Sequence, residues 1–404
     1  MAERFSFVNN WLLRAVRSVA GNPGVRIDLA GRTGPAPAIL YRDRAALVRS
    51  ILGGECGFGD GYATGRIRVD GDLETVLEEV YRAIRAARAQ TWLERSLRRL
   101  SLLLHSNSRT GARRNIHRHY DIGTGFYRLW LDRELLYTCA YFDEPEMSLE
   151  EAQQAKMDLV CRKLGLRPGE RVVEAGCGWG SFALYMARNY GAVVRAYNIS
   201  TDQIRWARQR AREENLATRV EFVEDDYRSI TGQYDVFVSI GMLEHVGASH
   251  YAELGRVIHR AVGETGRGLL HFIGRDRPEP LSAWINQRIF PGAYAPTLAE
   301  MLPLLEPWEF AVVDVENLRP HYAHTLQHWL KRYERSYSKI VAQFGEEFAR
   351  AWRLYLAGSV AAFRAKTLQL FQVLFAGRQC AFMPWTRKAL YAQPTEAPCA
   401  AAMF

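Results

Sequence analysis

The sequence predicts an α/β fold with a doubly wound, mostly parallel sheet and a smaller α+β unit at the N-terminus. Three observations carry this. From about residue 155, short apolar runs alternate with helical stretches, the pattern of βαβ units whose helices cover both faces of a sheet. The first of these runs passes directly into a glycine turn, VVEAGCGWGSF, that opens a helix. Residues 1–81 lack the alternation and mix an apolar start, brief strand-like runs and many glycines.

The N-terminal strand candidates are Gly24–Leu29, Ile39–Tyr41 and Gly65–Val69, after an apolar helix around Phe7, Trp11 and Leu12. The polar run Ser106–Arg114 (SNSRTGARR) reads as a linker, because Ser, Asn and Gly favour turns. The main sheet is expected at Arg171–Ala175, Val193–Ile199, Val220–Val223, Val236–Ile240, Leu269–Ile273 and Ala311–Val315. Helices are expected at Phe182–Asn189, Gln203–Asn215, His250–Val262 and Ala299–Leu305. A long helical segment, Thr325–Thr367, and a last apolar strand, Leu368–Phe375, close the pattern. The expected organisation is a small domain over 1–81, a basic helix and linker over 82–118, the main domain over 119–391 and a tail over 392–404.

With 48% hydrophobic and 24% charged residues, the 404-residue chain is neither disordered nor collagen-like. No apolar run approaches the ~20 residues needed to span a bilayer. The stretch Phe5–Ala20 is broken by Asn9, Asn10, Arg14 and Arg17, and its basic residues follow the apolar ones, the wrong order for a secretory signal. The six cysteines form no C-x-x-C pair, so neither a disulfide framework nor a zinc site is signalled, and a soluble protein of a reducing compartment is expected. No metal site is read: His117 and His119 stand at i, i+2 and point to different sides of a helix.

The net charge of +9 is unevenly placed. Residues 82–118 hold ten arginines against Glu94 alone, and the rest of the chain is balanced. Trp92, Leu93, Leu97, Leu100 and Leu103 recur there at near-helical spacing, so an apolar stripe runs beside Arg95, Arg98 and Arg99. That is the make-up of an interfacial helix on anionic lipid. Nucleic acid is disfavoured as a partner, because the segment has one aromatic residue and no nucleic-acid motif. The plain alternative is a solvated helix between domains.

In the glycine turn, Gly176, Gly178 and Gly180 let a ligand approach the backbone at a helix N-terminus. Glu174, two residues before the first glycine, is placed to meet an amino group. The second strand ends Tyr197-Asn198-Ile199-Ser200 without the acid that grips a ribose in dinucleotide sites, and Gln203 follows one turn on. These details favour a methyltransferase over a dehydrogenase.

The segments RHYDIGTGFYRLWLD, LLYTCAYF, VVEAGCGWGSFAL, YNISTDQ, EDDYR, MLEHVG, LLHFIG, IFPG, RPHYAHTLQHW and AFRAKTLQLFQVLFA occur in that order. Together they make the chain resemble the cyclopropane-fatty-acyl-phospholipid synthase family, strongly over about residues 115–391 and more weakly before them. The resemblance implies a class I methyltransferase-type, seven-stranded sheet and a lipid-interacting N-terminal domain. It implies S-adenosylmethionine as methyl donor, with Tyr137, Thr138, Glu174, Gly176, Cys177, Gly178, Asn198 and Gln203 contacting it and Asp226 and Tyr227 bracketing the adenine. It also implies a bound bicarbonate base, caged by Cys139, Glu244, His271 and Tyr322 with the backbone N–H of Ile273. Ionised Glu244 is not a donor, so it is expected to orient His271 or to accept the bicarbonate hydroxyl.

The reaction implied is methylene transfer to the cis double bond of an unsaturated acyl chain in an anionic membrane phospholipid. The enzyme would work from the cytoplasmic face, and a homodimer is possible by the same resemblance. Alternatives are methylation without ring closure, giving a branched chain or an N-methylated amine, and a non-catalytic lipid-binding protein on the same scaffold. Many relatives carry a cysteine where Ser359 stands: either this chain lacks a family function or that cysteine was never essential, and the caged base favours the second. Cys380 is read as a buried structural residue.

Overall fold

The computed structural model describes residue 13 and residues 24–29, 37–87 and 122–391. The N-terminal part has strands β1 (Arg26–Leu29), β2 (Ala38–Tyr41) and β3 (Ile67–Asp70). Its long helices are α1 (Arg44–Ala63) and α2 (Leu73–Ala87). β1 pairs with β2 in parallel, and β3 joins β2 antiparallel.

The main sheet contains β4 (Arg171–Ala175), β5 (Val193–Asn198), β6 (Val220–Glu224), β7 (Val236–Ile240), β8 (Arg267–Gly274), β9 (Ala311–Asn317) and β10 (Gln369–Ala376). Its order is β6-β5-β4-β7-β8-β10-β9, with β10 antiparallel to both neighbours. Helices α3 (Leu149–Lys163), α4 (Ser181–Tyr190), α5 (Thr201–Glu213) and α6 (Tyr251–Val262) cover the sheet, and α7 (Arg319–Arg335), α8 (Tyr337–Phe344) and α9 (Glu346–Arg364) follow β9. The strand order reverses between β4 and β7, so the crevice beyond their carboxyl ends is where such a fold takes a ligand.

Local chemistry fixes the helix starts that matter. Ser148 and Glu151 form a capping box at the head of α3, satisfying two otherwise unpaired backbone donors. Ser200 caps α5 by accepting the Gln203 N–H, which settles the turn that carries Asn198 and Gln203.

The N-terminal part is not separately cored. Ile39, Tyr41, Tyr62 and Val76 share one apolar cluster with Trp329, Trp352 and Tyr355 of α7 and α9. Arg350 donates to the carbonyls of Tyr62 and Ile67 at 2.7 and 3.0 Å, and Arg364 pairs with Glu74 at 3.0 Å. The boundary expected at 81/82 falls inside α2, which runs on to Ala87. The long helical segment expected over Thr325–Thr367 begins earlier, at Arg319, and consists of three helices, with α8 set off at Ser336 and at Gly345. The expected apolar N-terminal helix, the linker at 106–114, the tail, and Arg95, Arg98 and Arg99 lie outside the described residues. No helix among the described residues is long and apolar enough to cross a membrane.

Candidate active site

Two cavities meet at the crevice. The smaller, about 110 Å³, lies over the glycine turn and is lined by Tyr137, Thr138, Glu174, Gly176, Cys177, Gly178, Asn198 and Gln203. The larger, about 400 Å³, is lined by Cys139, Glu244, His271, Ile273 and Tyr322. Tyr137, Thr138, Gly241 and His245 belong to both walls. The larger volume is within the range of small-molecule sites.

The glycine turn is held by Tyr197, whose carbonyl accepts the Gly176 and Cys177 N–H groups at 2.9 and 3.1 Å. Gly178 (φ +54°) has open space where a Cβ would project, whereas a Cβ on Gly180 would come within 2.5 Å of the Phe222 ring. One glycine therefore keeps the cavity clear and the other lets helix and sheet close up. Asn198 donates to the Gly178 carbonyl at 3.2 Å and to Gln203 Oε1 at 2.7 Å, so the polar pair that replaces the ribose acid is pre-set.

Glu174 is buried and its Oε2 has no hydrogen-bond partner among the described residues. Burial pushes its pKa up to about 8, against the pull of the nearby Lys156 ammonium. Such an orphaned carboxylate, beside a clear glycine turn, fits the amino group of an amino-acid-bearing cofactor. Lys156 is itself buried, donates to Thr138 Oγ1 at 2.9 Å, and has its pKa drawn down to about 8 by burial.

Asp226 and Tyr227 depart from expectation. Neither lines the cofactor cavity: Asp226 Oδ1 accepts the Arg228 N–H and Oδ2 its guanidinium, both at 3.0 Å. The Arg228 guanidinium also sits over the Tyr227 ring, 4.8 Å from its centroid. Arg228 thus holds both residues at the edge of the turn.

In the larger cavity, the Ile273 N–H donates to Glu244 Oε1 at 2.6 Å, so Glu244 takes the amide assigned to the anion cage. Its Oε2 is buried without a partner, and burial raises its pKa to about 7. His271 is not oriented by Glu244: its Nδ1 is bonded to Gln372 Nε2 at 3.0 Å, and its Nε2 is buried and unpartnered among the described residues. Burial and two lysines hold the ring well below the ordinary histidine pKa, hence neutral. The Cys139 thiol is fully buried, donates to the Ala140 carbonyl at 3.1 Å, and is pushed far up by desolvation, so it is no nucleophile.

Aromatic rings surround the junction. The Tyr137 and Tyr355 hydroxyls meet at 2.7 Å, and the Tyr322 ring lies 4.7 Å from Phe363. Ser359 lines the same cavity, one turn beyond Tyr355, and its hydroxyl donates back to the Tyr355 carbonyl at 2.8 Å. From the N-terminal part, Glu55, Tyr81, Ile84 and Arg85 complete the wall. Cys380 is only half-buried, in the loop after β10, which corrects the expectation of a buried residue.

Lys156, Lys163, Gln372, Tyr355 and His245 escaped the sequence reading. For the lysines a signal existed. Leu149, Ala152, Gln153, Lys156, Val160 and Lys163 recur at helical spacing, and all are buried, so two lysines stand on the core stripe of α3.

The family described as mycolic acid cyclopropane synthetase matches residues 107–373. This chain belongs to that family. It is 39% identical over 284 residues to a probable fatty acid methyltransferase of Pseudomonas putida, covering 68% of this chain and 72% of that protein. It is 34% identical over 371 residues to the cyclopropane-fatty-acyl-phospholipid synthase of Escherichia coli K12, covering 91% of this chain and 94% of the relative. Among solved structures, the mycolic acid cyclopropane synthase CmaA1 complexed with SAH and CTAB superposes with a TM-score of 0.62 at 30% identity, over 65% of this chain and 97% of that one. The cyclopropane synthase family thus has here a class I methyltransferase fold and an S-adenosylmethionine-dependent enzyme.

Proposed function

We propose that this enzyme builds a cyclopropane ring on the cis double bond of an unsaturated acyl chain in an anionic membrane phospholipid. The observation that carries the proposal is the junction itself: the cofactor cavity opens at Tyr137, Thr138, Gly241 and His245 into a larger cavity ringed by aromatic and aliphatic side chains. A polar cluster, Glu244 and His271, is buried beside it.

S-adenosylmethionine supplies an electrophilic methyl on a sulfonium, which an unactivated alkene needs in its partner. Glu174, the glycine turn and the Asn198–Gln203 pair would hold that donor, with Tyr137 and Thr138 at the junction where its methyl would face the lipid. Methyl transfer leaves a carbocation on the acyl chain. The faces of Tyr137, Tyr322, Tyr355 and Phe363 stabilise it, while the walls keep out water that would trap it as an alcohol.

Ring closure requires loss of a proton from the new methyl. Bicarbonate would supply that base, held by Glu244, His271 and Tyr322 in the cavity that Cys139 and Ile273 also line. The unpartnered His271 Nε2 and Glu244 Oε2 support an anion with one hydroxyl between them, one group donating and the other accepting.

A peripheral position on the cytoplasmic face of the membrane follows from the substrate, with the basic segment around Arg95, Arg98 and Arg99 as the docking element. The second reading, methylation without closure, draws on the similarity to the Pseudomonas putida fatty acid methyltransferase. Lipid analysis of a cyclopropane-free bacterium expressing the gene separates the two: cyclopropane acyl chains support the proposal, and methyl- or methylene-branched chains support the second reading.

A further inference from the structure

A row of side chains runs across three strands behind the anion site. In the sheet register Gln372 of β10 stands opposite His271 of β8 on one side and Glu316 of β9 on the other. Lys163, at the end of α3, reaches onto this row: its ammonium donates to Gln372 Oε1 at 2.9 Å, is ion-paired to Glu316 and lies 3.8 Å from Asp314. Gln372 Nε2 then meets His271 Nδ1 at 3.0 Å. Lys163, Gln372 and His271 are each no more than 2% exposed.

The chemistry of these groups allows one arrangement. An ammonium has donors only, so it engages the carbonyl end of the Gln372 amide. The NH₂ end is left facing the histidine and has donors only, so Nδ1 must accept. A neutral imidazole whose Nδ1 accepts carries its proton on Nε2. Burial lowers the Lys163 pKa and the carboxylates of Glu316 and Asp314 oppose that shift, while three oxygens, Gln372 Oε1 and one from each carboxylate, surround Nζ as a three-donor ammonium requires. A deprotonated amine would release the amide to flip.

We infer that Lys163 and Gln372 are positioning residues that fix His271 as the Nε2–H tautomer, so that the ring presents an N–H donor to the anion site. The anion part of this inference rests on the function proposed above, and the tautomer does not. The device explains a lysine, a glutamine and two carboxylates gathered at the sheet edge, which the proposed chemistry does not touch. Without it, the Nδ1–H tautomer would turn a lone pair on the anion.

Long-range proton–nitrogen spectra of the full-length enzyme with labelled histidine distinguish a protonated from a bare ring nitrogen. His271→Asn identifies the His271 signals by their loss. The inference predicts a bare Nδ1 and a protonated Nε2 in the wild type. Gln372→Glu puts an acceptor against Nδ1, so at about pH 8.5 the proton should move to Nδ1, with bicarbonate stimulation requiring about tenfold more bicarbonate, as expected for one lost hydrogen bond to a charged group. Cofactor affinity should be unchanged, which also reports that the variant folds. A wild-type ring with its proton on Nδ1, or a variant that leaves Nδ1 bare, overturns the inference. If the wild type shows Nε2–H but bicarbonate shifts neither its signals nor its turnover, the tautomer assignment stands and the anion assignment fails.

Discussion

Glu244 and Ile273 are joined by a 2.6 Å hydrogen bond from the backbone N–H at the end of β8 to Oε1 of a buried carboxyl on the short helix Leu243–Val246. The other oxygen of Glu244 is left buried without a partner among the described residues, on a residue that lines the same cavity as His271 and Tyr322. The carboxyl thus joins the proposed anion site through its place in the cavity wall, and does not orient the histidine, whose Nδ1 is bonded to Gln372.

Glu244→Ala and Tyr322→Phe should each lower turnover by roughly 10- to 100-fold, the loss of one hydrogen bond to a charged group, while S-adenosylmethionine affinity stays unchanged. Steady-state kinetics and calorimetry on the same samples check this. Added bicarbonate should restore part of the Tyr322→Phe loss.

Cofactor binding should release protons. Burial pushes the Glu174 pKa up to about 8, so near neutral pH it is largely protonated. A cationic amino group beside it favours the carboxylate, so binding expels up to about one proton, and affinity rises as pH increases toward 8. Calorimetry in buffers of different ionisation enthalpy measures the release, and Glu174→Gln should abolish it.

The same carboxyl makes a stability prediction of fixed sign. Its folded pKa lies above the ordinary glutamate value of 4.5, so the folded chain binds more protons than the unfolded one between those limits. Its contribution therefore becomes less favourable as pH rises from about 4.5 through about 8 and is constant above that. Glu174→Gln, a mimic of the protonated form, should raise the Tm relative to wild type at pH 8.5 and leave it little changed at pH 4.5.

The glycines of the turn should separate by role. Gly178→Val projects into open cavity, so S-adenosylmethionine affinity should fall roughly 10- to 100-fold, from the 1–3 kcal/mol typical of overpacking, and its φ of +54° adds a backbone cost that also lowers the Tm. Gly180→Val meets the Phe222 ring and the Ala207 methyl, and should lower the Tm first.

Reversing Arg95, Arg98 and Arg99 to Glu should weaken binding to anionic vesicles by about 100-fold or more at low salt, since each arginine near such a surface is worth about 1 kcal/mol. Activity on vesicles should fall in step, and cofactor affinity should not. Equal co-sedimentation of variant and wild type would move docking elsewhere.

Much of this molecule was legible in its residues. Apolar runs such as Val236–Ile240 are buried on both faces of a parallel sheet, and they stand where the alternation placed them. The site residues from Tyr137 to Tyr322 came from ordered motifs, and the structure places all of them but Asp226 and Tyr227 in the walls of the two cavities, although they lie far apart in sequence. Other parts were hidden for physical reasons. Helix α1 is rich in glycine and is stabilised by tertiary contact, including the Arg288–Asp60 pair at 2.8 Å, and not by propensity. The Asp226–Arg228 pair depends on a turn geometry that no periodicity announces. Gln372 sits inside the apolar strand QLFQVLFA, where only the register against His271 reveals its task.

The most direct test is the proton spectrum of the lipid product made by the purified enzyme from S-adenosylmethionine and vesicles of a cis-unsaturated anionic phospholipid. The proposed function predicts the upfield methylene protons of a cyclopropane ring, in amounts that rise with added bicarbonate. Olefinic methylene or branched-methyl signals in their place, or recovery of unmodified lipid by an enzyme that binds the cofactor, would contradict it.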